Sequence, residues 1–436
     1  PFPIKKGKIR GEASLGMICA EDELGIGRNH EGIMILDASA TVGAPLSSVI
    51  PVVNDIIIEI GLTANRSDAT NHIGVAQDLA AALAYHQGYD KGVELPDVSA
   101  FAVGNEMEIS VEVLDTEACP RYSGVSITNV KVGPSPDWLI QHIEAIGIRA
   151  INNIVDITNF VLHETGQPLH AFDADKIKDK KVIVQKMKAG TKFTTLDEKE
   201  RSLNENDLMI CDADGGMCIA GVFGGIRSGV TDSTTNIFLE SACFDAVTIR
   251  KTSKRHDLRT DAATRFEKGT DPNGTIYALK RAALLIQELA DGQIASDIVD
   301  VYPNPVEKPA VTVRYAQVNR LAGITIAPEK VLRIMEVLNI EVSDKTDEAF
   351  VAHIPTNKVD VLREVDVLEE ILRIYGYNNI PMQQNLQSSL SYAGKEDKAV
   401  LIKNRVSDFL SGTGYREMMN NSVSQSNYYA EIMEAD

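Results

Sequence analysis

Apolar residues recur along this chain in two rhythms, and the switches between them predict its elements. Residues 41–64 alternate loosely and contain Asp55-Ile-Ile-Ile-Glu59-Ile, which predicts a strand bounded by Pro51 and Gly61. The polar turn Asn65-Arg66-Ser67-Asp68 then opens a helix in which Val75, Leu79 and Leu83 recur every four residues and form one buried stripe. Pro96 and its polar neighbours predict a linker over 90–105, after which Val111-Glu-Val-Leu begins a strand-rich stretch. Pro134-Ser-Pro136 stand at a helix start, where proline's missing N–H would have no partner anyway, and Leu139, Ile143 and Ile146 supply the apolar face. Strands are predicted at 182–184, 207–210, 217–222 and 237–239, and a helix over 275–290 buries Ile276, Leu279, Ala283 and Ile286. Many short strands with a few helices predict an α+β class, not a doubly wound sheet. Pro303-Asn-Pro305 marks a second linker. Pro328 starts a helix with the stripe Val331, Ile334, Met335 and Leu338, and a second over 361–374 carries Val361, Val365, Leu368 and Leu372. A third, near 400–410, leads into a strand-like alternation from Glu417, and both ends of the chain look cut.

Composition narrows the class. The 436 residues carry 43 Lys+Arg against 62 Asp+Glu, a net charge of −19. At roughly 100–200 residues per domain the chain holds several domains. No apolar run approaches the ~18 residues of a membrane span. Residues 1–6 have no apolar signal core, and five scattered cysteines without a CxxC pair suit a reducing cytosol, where buried packing is their ordinary role. A strongly acidic surface repels phosphate, which argues against a diffuse nucleic-acid surface.

Four segments could carry chemistry. In Ile151-Asn-Asn-Ile-Val-Asp156-Ile-Thr158-Asn159, polar groups punctuate what reads as an apolar strand, and they are structural caps or site groups. Gly221-Val-Phe-Gly224-Gly225 is a glycine turn after an apolar strand; it is a tight hairpin or a place where a ligand approaches the backbone. Glu240 sets one carboxylate inside the apolar run Phe238-Leu-Glu240-Ser-Ala, paired structurally or poised to accept a ligand hydroxyl. Arg250 to Arg259 is the most basic stretch, read as a solvated surface loop or a local phosphate contact. A separate acidic group completes the set. Asp366, Glu369 and Glu370 share one helical face just after Asp360, and like charges so placed repel unless a cation neutralises them. A solvated acidic face and a Mg²⁺ site are the two readings.

Taken together, these strings resemble the bacterial phenylalanyl-tRNA synthetase beta-subunit family over nearly the whole chain. The resemblance rests on Lys6-Gly-Lys-Ile-Arg-Gly, on Gly147-Ile-Arg-Ala-Ile-Asn-Asn-Ile-Val-Asp-Ile-Thr-Asn continuing to Gly166-Gln-Pro-Leu-His170-Ala-Phe-Asp, on Ala220-Gly-Val-Phe-Gly-Gly and on Phe238-Leu-Glu-Ser-Ala. It also rests on Arg259-Thr-Asp-Ala and on Asp366-Val-Leu-Glu-Glu-Ile-Leu-Arg-Ile-Tyr-Gly-Tyr. It implies the end of a tRNA-binding OB domain at 1–40, a small α/β segment at 41–98 and a mixed α/β tRNA-editing module at 105–305. A small helical, winged-helix-like metal module follows at 310–384, then the start of a class II synthetase-like inactive domain at 385–436.

The implied activity is tRNA(Phe) aminoacylation together with an alpha subunit, which uses ATP at its own site, and hydrolysis of mischarged Tyr-tRNA(Phe) on this chain. A purely structural scaffold for tRNA and alpha is the rival. The resemblance assigns Glu240 to the tyrosine hydroxyl and His170, Thr158 and Asn159 to the scissile end. Gly224, Thr260 and Ala262 would form the pocket wall, and Asp360, Asp366, Glu369 and Glu370 would hold Mg²⁺ shared with alpha. Two alpha and two beta subunits, tRNA(Phe), a cytoplasmic setting and no membrane complete the expectation. His163-Glu-Thr and Lys358 depart from the family pattern; an arginine is common at the second position.

Overall fold

The computed structural model describes residues 4–27, 30–50, 55–103, 106–382 and 394–428. It divides into two compact units, 1–377 and 378–436. Pro51 and Asn105, which bound a predicted strand and linker, lie outside the described residues, as do 383–384 of the predicted metal module and 385–393 and 429–436 of the predicted last domain.

The first unit begins with a short hairpin, β1 (Gly7–Ile9) and β2 (Glu12–Ser14), and a single helical turn, α1 (Glu21–Leu24). The strand predicted at 55–60 is not formed. Ile56, Ile57 and Ile58 are exposed, and no strand pairs with them among the described residues. Helix α2 (His72–Gln87) starts where predicted, with the Asn71 side chain accepting from Gly74 N–H. Its buried face differs from the predicted stripe: Leu79 points to solvent, and Gly74 and Ala81 are the buried positions. An added Cβ at Gly74 would overlap the Asp68 carbonyl, so the helix can approach the preceding turn only without a side chain there.

The middle of the chain builds three layers. Its elements are β3 (Ser110–Val113), β4 (Arg121–Thr128), α3 (Asp137–Ala145), α4 (Asn153–Thr165) and β5 (Leu169–Asp173). Next come β6 (Lys181–Lys186), the small hairpin β7 (Lys192–Thr194) and β8 (Glu200–Ser202), β9 (Leu208–Asp212) and β10 (Gly215–Ile219). β11 (Phe223–Gly224), β12 (Ile237–Cys243), α5 (Ala246–His256), α6 (Asp261–Lys268) and α7 (Thr275–Ala290) follow, with β13 (Gln293–Ile294) and β14 (Val299–Val301) closing the set. One sheet has the order β11-β10-β9-β6-β3, with β3 and β6 parallel; the other has the order β13-β4-β12-β5. Side chains alternate across a strand, so β12 sends Ile237 and Leu239 into a core with α3, α4 and α7. The same strand sends Phe238 and Ala242 into the core between the two sheets. Glu240 shares that second face.

Two sequence expectations fail here for a local reason. The 151–160 run is the helix α4, not a strand. Asn152 caps it through Val155 N–H, Gly166 ends it with a left-handed backbone, and Ile154, Ile157 and Val161 form its buried face. The basic run is likewise not a loop, because residues 246–256 form α5. Ile146, predicted buried, sits at the end of α3 and is exposed.

Gly124 of β4 lies opposite Glu240, and an added Cβ would overlap the buried Phe238 ring. Gly124→Ala should therefore lower stability by about 1–3 kcal/mol, the usual range for overpacking. Chemical denaturation measures it, and an unchanged midpoint would disprove this close packing.

The third region is not purely helical as expected. β15 (Ala310–Arg314), β16 (Glu341–Ser343) and β17 (Ala349–His353) form an antiparallel sheet of order β15-β17-β16 against α8 (Tyr315–Ala322), α9 (Pro328–Val337) and α10 (Glu364–Tyr375). All four predicted α9 stripe residues are buried, whereas α10 buries Val367, Leu368, Ile371 and Ile374 and exposes Val365. In the second unit α11 (Lys395–Gly412) is longer than predicted, and no strand follows it among the described residues. No helix among the described residues is long and apolar enough to cross a membrane. All five cysteines are free, and four of them are buried.

Candidate functional site

A cavity of about 550 Å³ opens at the β5 edge of the second sheet. That volume is within the ordinary range for a small-molecule site. All seven residues assigned to a pocket from the sequence line it: Thr158 and Asn159 from α4, His170 from β5, Gly224 from β11, Glu240 from β12, and Thr260 and Ala262 at the start of α6. Residues 70 positions apart meet because β5 and β12 pair antiparallel with His170 directly opposite Glu240.

Glu240 is buried, and among the described residues Tyr122 is the one side chain that hydrogen-bonds its carboxyl, donating its hydroxyl at 2.8 Å. Burial pushes its carboxyl up to about 8, against the opposing pull of that hydroxyl. Burial also pushes His170 down to about 4, so the imidazole is neutral at neutral pH. Its ring stands edge-on to Phe172 at 4.5 Å, and no side chain or backbone group among the described residues hydrogen-bonds it. Gly224 makes room for that ring: an added Cβ would lie 3.0 Å from His170 Cε1 and 2.8 Å from Leu196 Cδ1. The glycine run is thus both the hairpin and the cavity wall.

Other candidates divide into fold and site. Asp156 is a structural group, accepting from Ser135 Oγ at 2.6 Å and Ile151 N–H at 2.9 Å. Thr158 donates its hydroxyl to the Val155 carbonyl, whereas the Asn159 amide lines the cavity with no hydrogen-bond partner among the described residues. The Thr260 side chain caps α6 and donates to the Val222 carbonyl, tying that helix to the glycine turn. It leaves the first N–H groups of α6, at Asp261 and Ala262, unpaired within their helix beside the cavity. Of the basic run, Arg255 and His256 hold buried Asp207 and so are structural. Arg250, Lys251 and Lys254 are exposed, and Arg259 reaches the cavity wall. Sequence reading missed Leu196 and Cys218, which line the cavity, and Tyr122 behind it. No local pattern marks them.

Asp360, Asp366, Glu369 and Glu370 line one separate polar cavity of about 250 Å³. Their arrangement does not fit a magnesium ion held by all four. Glu370 is taken by Lys358 Nζ at 2.7 Å and by Arg373, both oxygens of Asp366 are bonded by Arg363, and Glu369 accepts from Asn65. Among the described residues no three His, Cys, Asp or Glu side chains converge as metal ligands. Asp366 and Glu370 are neutralised by the protein's own cations.

Two family models match the chain: the B3/4 domain over 118–291 and the tRNA synthetase B5 domain over 311–377. It is 49% identical over 429 residues to the phenylalanine–tRNA ligase beta subunit of Bacteroides fragilis, covering 98% of this chain and 52% of that protein. The chain belongs to the phenylalanine–tRNA ligase beta-subunit family. The beta subunit of Geobacter metallireducens is 41% identical over 96% of this chain and 51% of its own length. The chain thus spans about half the length of the curated relatives it matches. The cavity lies within the stretch matched by the B3/4 model, and the acidic group within the B5 match.

Proposed function

We propose that this chain proofreads for a phenylalanine–tRNA ligase: its large cavity hydrolyses tyrosine wrongly esterified to tRNA(Phe). A separate alpha subunit, in a cytoplasmic assembly of two alpha and two beta subunits, makes the correct ester with ATP and Mg²⁺. The observation that carries the reading is Glu240, a buried carboxyl at the wall of a largely apolar cavity, where it can recognise the one hydroxyl that separates tyrosine from phenylalanine. A pocket built for phenylalanine rejects a hydroxylated isostere poorly, so a second site that selects for the hydroxyl supplies the missing discrimination.

His170, Asn159 and Thr158 would place the attacking water. The water oxygen adds to the ester carbonyl, the bond to the ribose oxygen breaks, and that oxygen takes the proton. With a pKa near 4, His170 is a weak base, so its part is to accept a hydrogen bond and orient the water. The N–H groups of Asp261 and Ala262 would receive the terminal nucleotide, and the exposed basic face of α5 the acceptor-arm phosphates.

The test is deacylation of Tyr-tRNA(Phe) and Phe-tRNA(Phe) by the assembled enzyme. Ionised Glu240 accepts a hydroxyl more strongly than the neutral acid does. The tyrosyl-to-phenylalanyl rate ratio should therefore rise as pH passes upward through about 8, while His170 stays neutral throughout. Equal rates for both esters at every pH would leave the chain a binding scaffold.

A further inference from the structure

Glu240 could turn its carboxyl freely, because the last torsion of a glutamate is broad and has no strong staggered minimum. Its neighbours on the strand face offer it no hydrogen bond. Directly opposite on β4 is Gly124, with the Phe238 ring packed over it, and two residues along β12 is the small Ala242. One group does hold it. Tyr122 pairs with Ala242 across the β4–β12 ladder and so lies diagonal to Glu240 on the same face, within reach of a long aromatic side chain. Its hydroxyl donates to Oε2 of Glu240 at 2.8 Å, and the tyrosine itself is wholly buried and does not line the cavity. The geometry points to Tyr122 as a positioning residue: it fixes one oxygen of Glu240 from behind, so that the other is presented to the hydroxyl of the substrate's side chain. Selectivity for a hydroxyl-bearing ring then depends on a pair of residues, one in the cavity and one outside it.

This rests on the editing reading above and adds to it a residue that touches no substrate. The groups that face Glu240 are few: Tyr122 and Cys119 behind it, Cys218 on the neighbouring sheet and His170 across β5. Burial holds both thiols protonated, and His170 is neutral, so no fixed charge competes with the tyrosine for control of the carboxyl.

Tyr122→Phe in the assembled enzyme is the test, since it removes the hydroxyl and keeps the ring. The tyrosyl-to-phenylalanyl ratio should fall about three- to ten-fold, the worth of one ordinary hydrogen bond, with phenylalanyl ester hydrolysis unchanged. The carboxyl of Glu240, followed by infrared difference spectroscopy against Glu240→Gln, should titrate at higher pH in Tyr122→Phe, because a donor that favours the ionised form is gone. A merely structural tyrosine would leave the ratio unmoved. An unchanged ratio with an unchanged titration overturns the role of Tyr122. No tyrosyl preference in the unsubstituted enzyme overturns the editing reading instead, and the Glu240 titration still decides whether Tyr122 controls the carboxyl.

Discussion

Glu240→Ala is expected to abolish the preference for the tyrosyl ester, lowering the ratio of kcat/KM values by about 10- to 100-fold. That is the worth of a hydrogen bond to an ionisable group in a desolvated site, about 1.5–3 kcal/mol. Hydrolysis of the phenylalanyl ester should persist, because His170 and Asn159 at the other end of the cavity are untouched. Deacylation of both esters by the assembled enzyme measures it, and a retained preference would place the selecting group elsewhere. Stability supplies a control. The folded-state pKa of Glu240 lies near 8, above its ordinary value of 4.5. The folded protein therefore keeps a proton that the unfolded chain gives up, and stability falls as pH rises between those two values. Glu240→Gln should accordingly melt higher than the parent at pH near 8, with the gap closing toward pH 5. A group that lowers stability at working pH is retained for what it binds, not for what it holds together.

Much of this arrangement is legible in the sequence, and what is not has identifiable causes. The α7 and α9 helices follow from their spacing because their apolar stripes face a core directly, apart from Ile276 of α7, which is only half-buried. The 151–160 run misleads because Asp156, Thr158 and Asn159 sit among apolar residues and mask the three-and-four spacing of Ile154, Ile157 and Val161, and the signals that settle it are the caps at Asn152 and Gly166. Ile56 to Ile60 has strand composition but no strand beside it among the described residues, and a pairing partner is not a local property of the sequence. The pocket residues could be named by resemblance, but the contact between Tyr122 and Glu240 spans 118 positions and depends on register. Charge is the clearest failure. Counting acids on α10 predicts repulsion, whereas the folded chain surrounds Glu370 with Lys358 and Arg373.

Lys358→Met is expected to destabilise the chain by about 3–5 kcal/mol, because it leaves buried carboxylates without their cation. The six charges Arg66, Asp68, Lys358, Glu370, Arg373 and Asp78 alternate in sign around a closed ring. Lys358 reaches Asp68 at 3.0 Å and Glu370 at 2.7 Å, Arg373 joins Glu370 to Asp78, and Arg66 joins Asp78 back to Asp68. The ring fastens the turn before α2 to α10, some 300 residues later. Asp68 and Glu370 are held below their ordinary values despite burial, by the cations beside them. Their contribution is present above the unfolded-state values of 3.8 and 4.5 and is lost as pH falls through the lower folded ones. Acid unfolding of Lys358→Met should therefore begin at higher pH than that of the parent. The double variant Lys358→Met with Glu370→Gln should recover part of the loss, since it removes a buried charge along with its partner. Chelation separates this from a resident metal: with the ring supplying the cations, EDTA should leave the parent's melting temperature unchanged. A fall that Mg²⁺ reverses would mean that an ion, not Lys358, neutralises Asp366, Glu369 and Glu370.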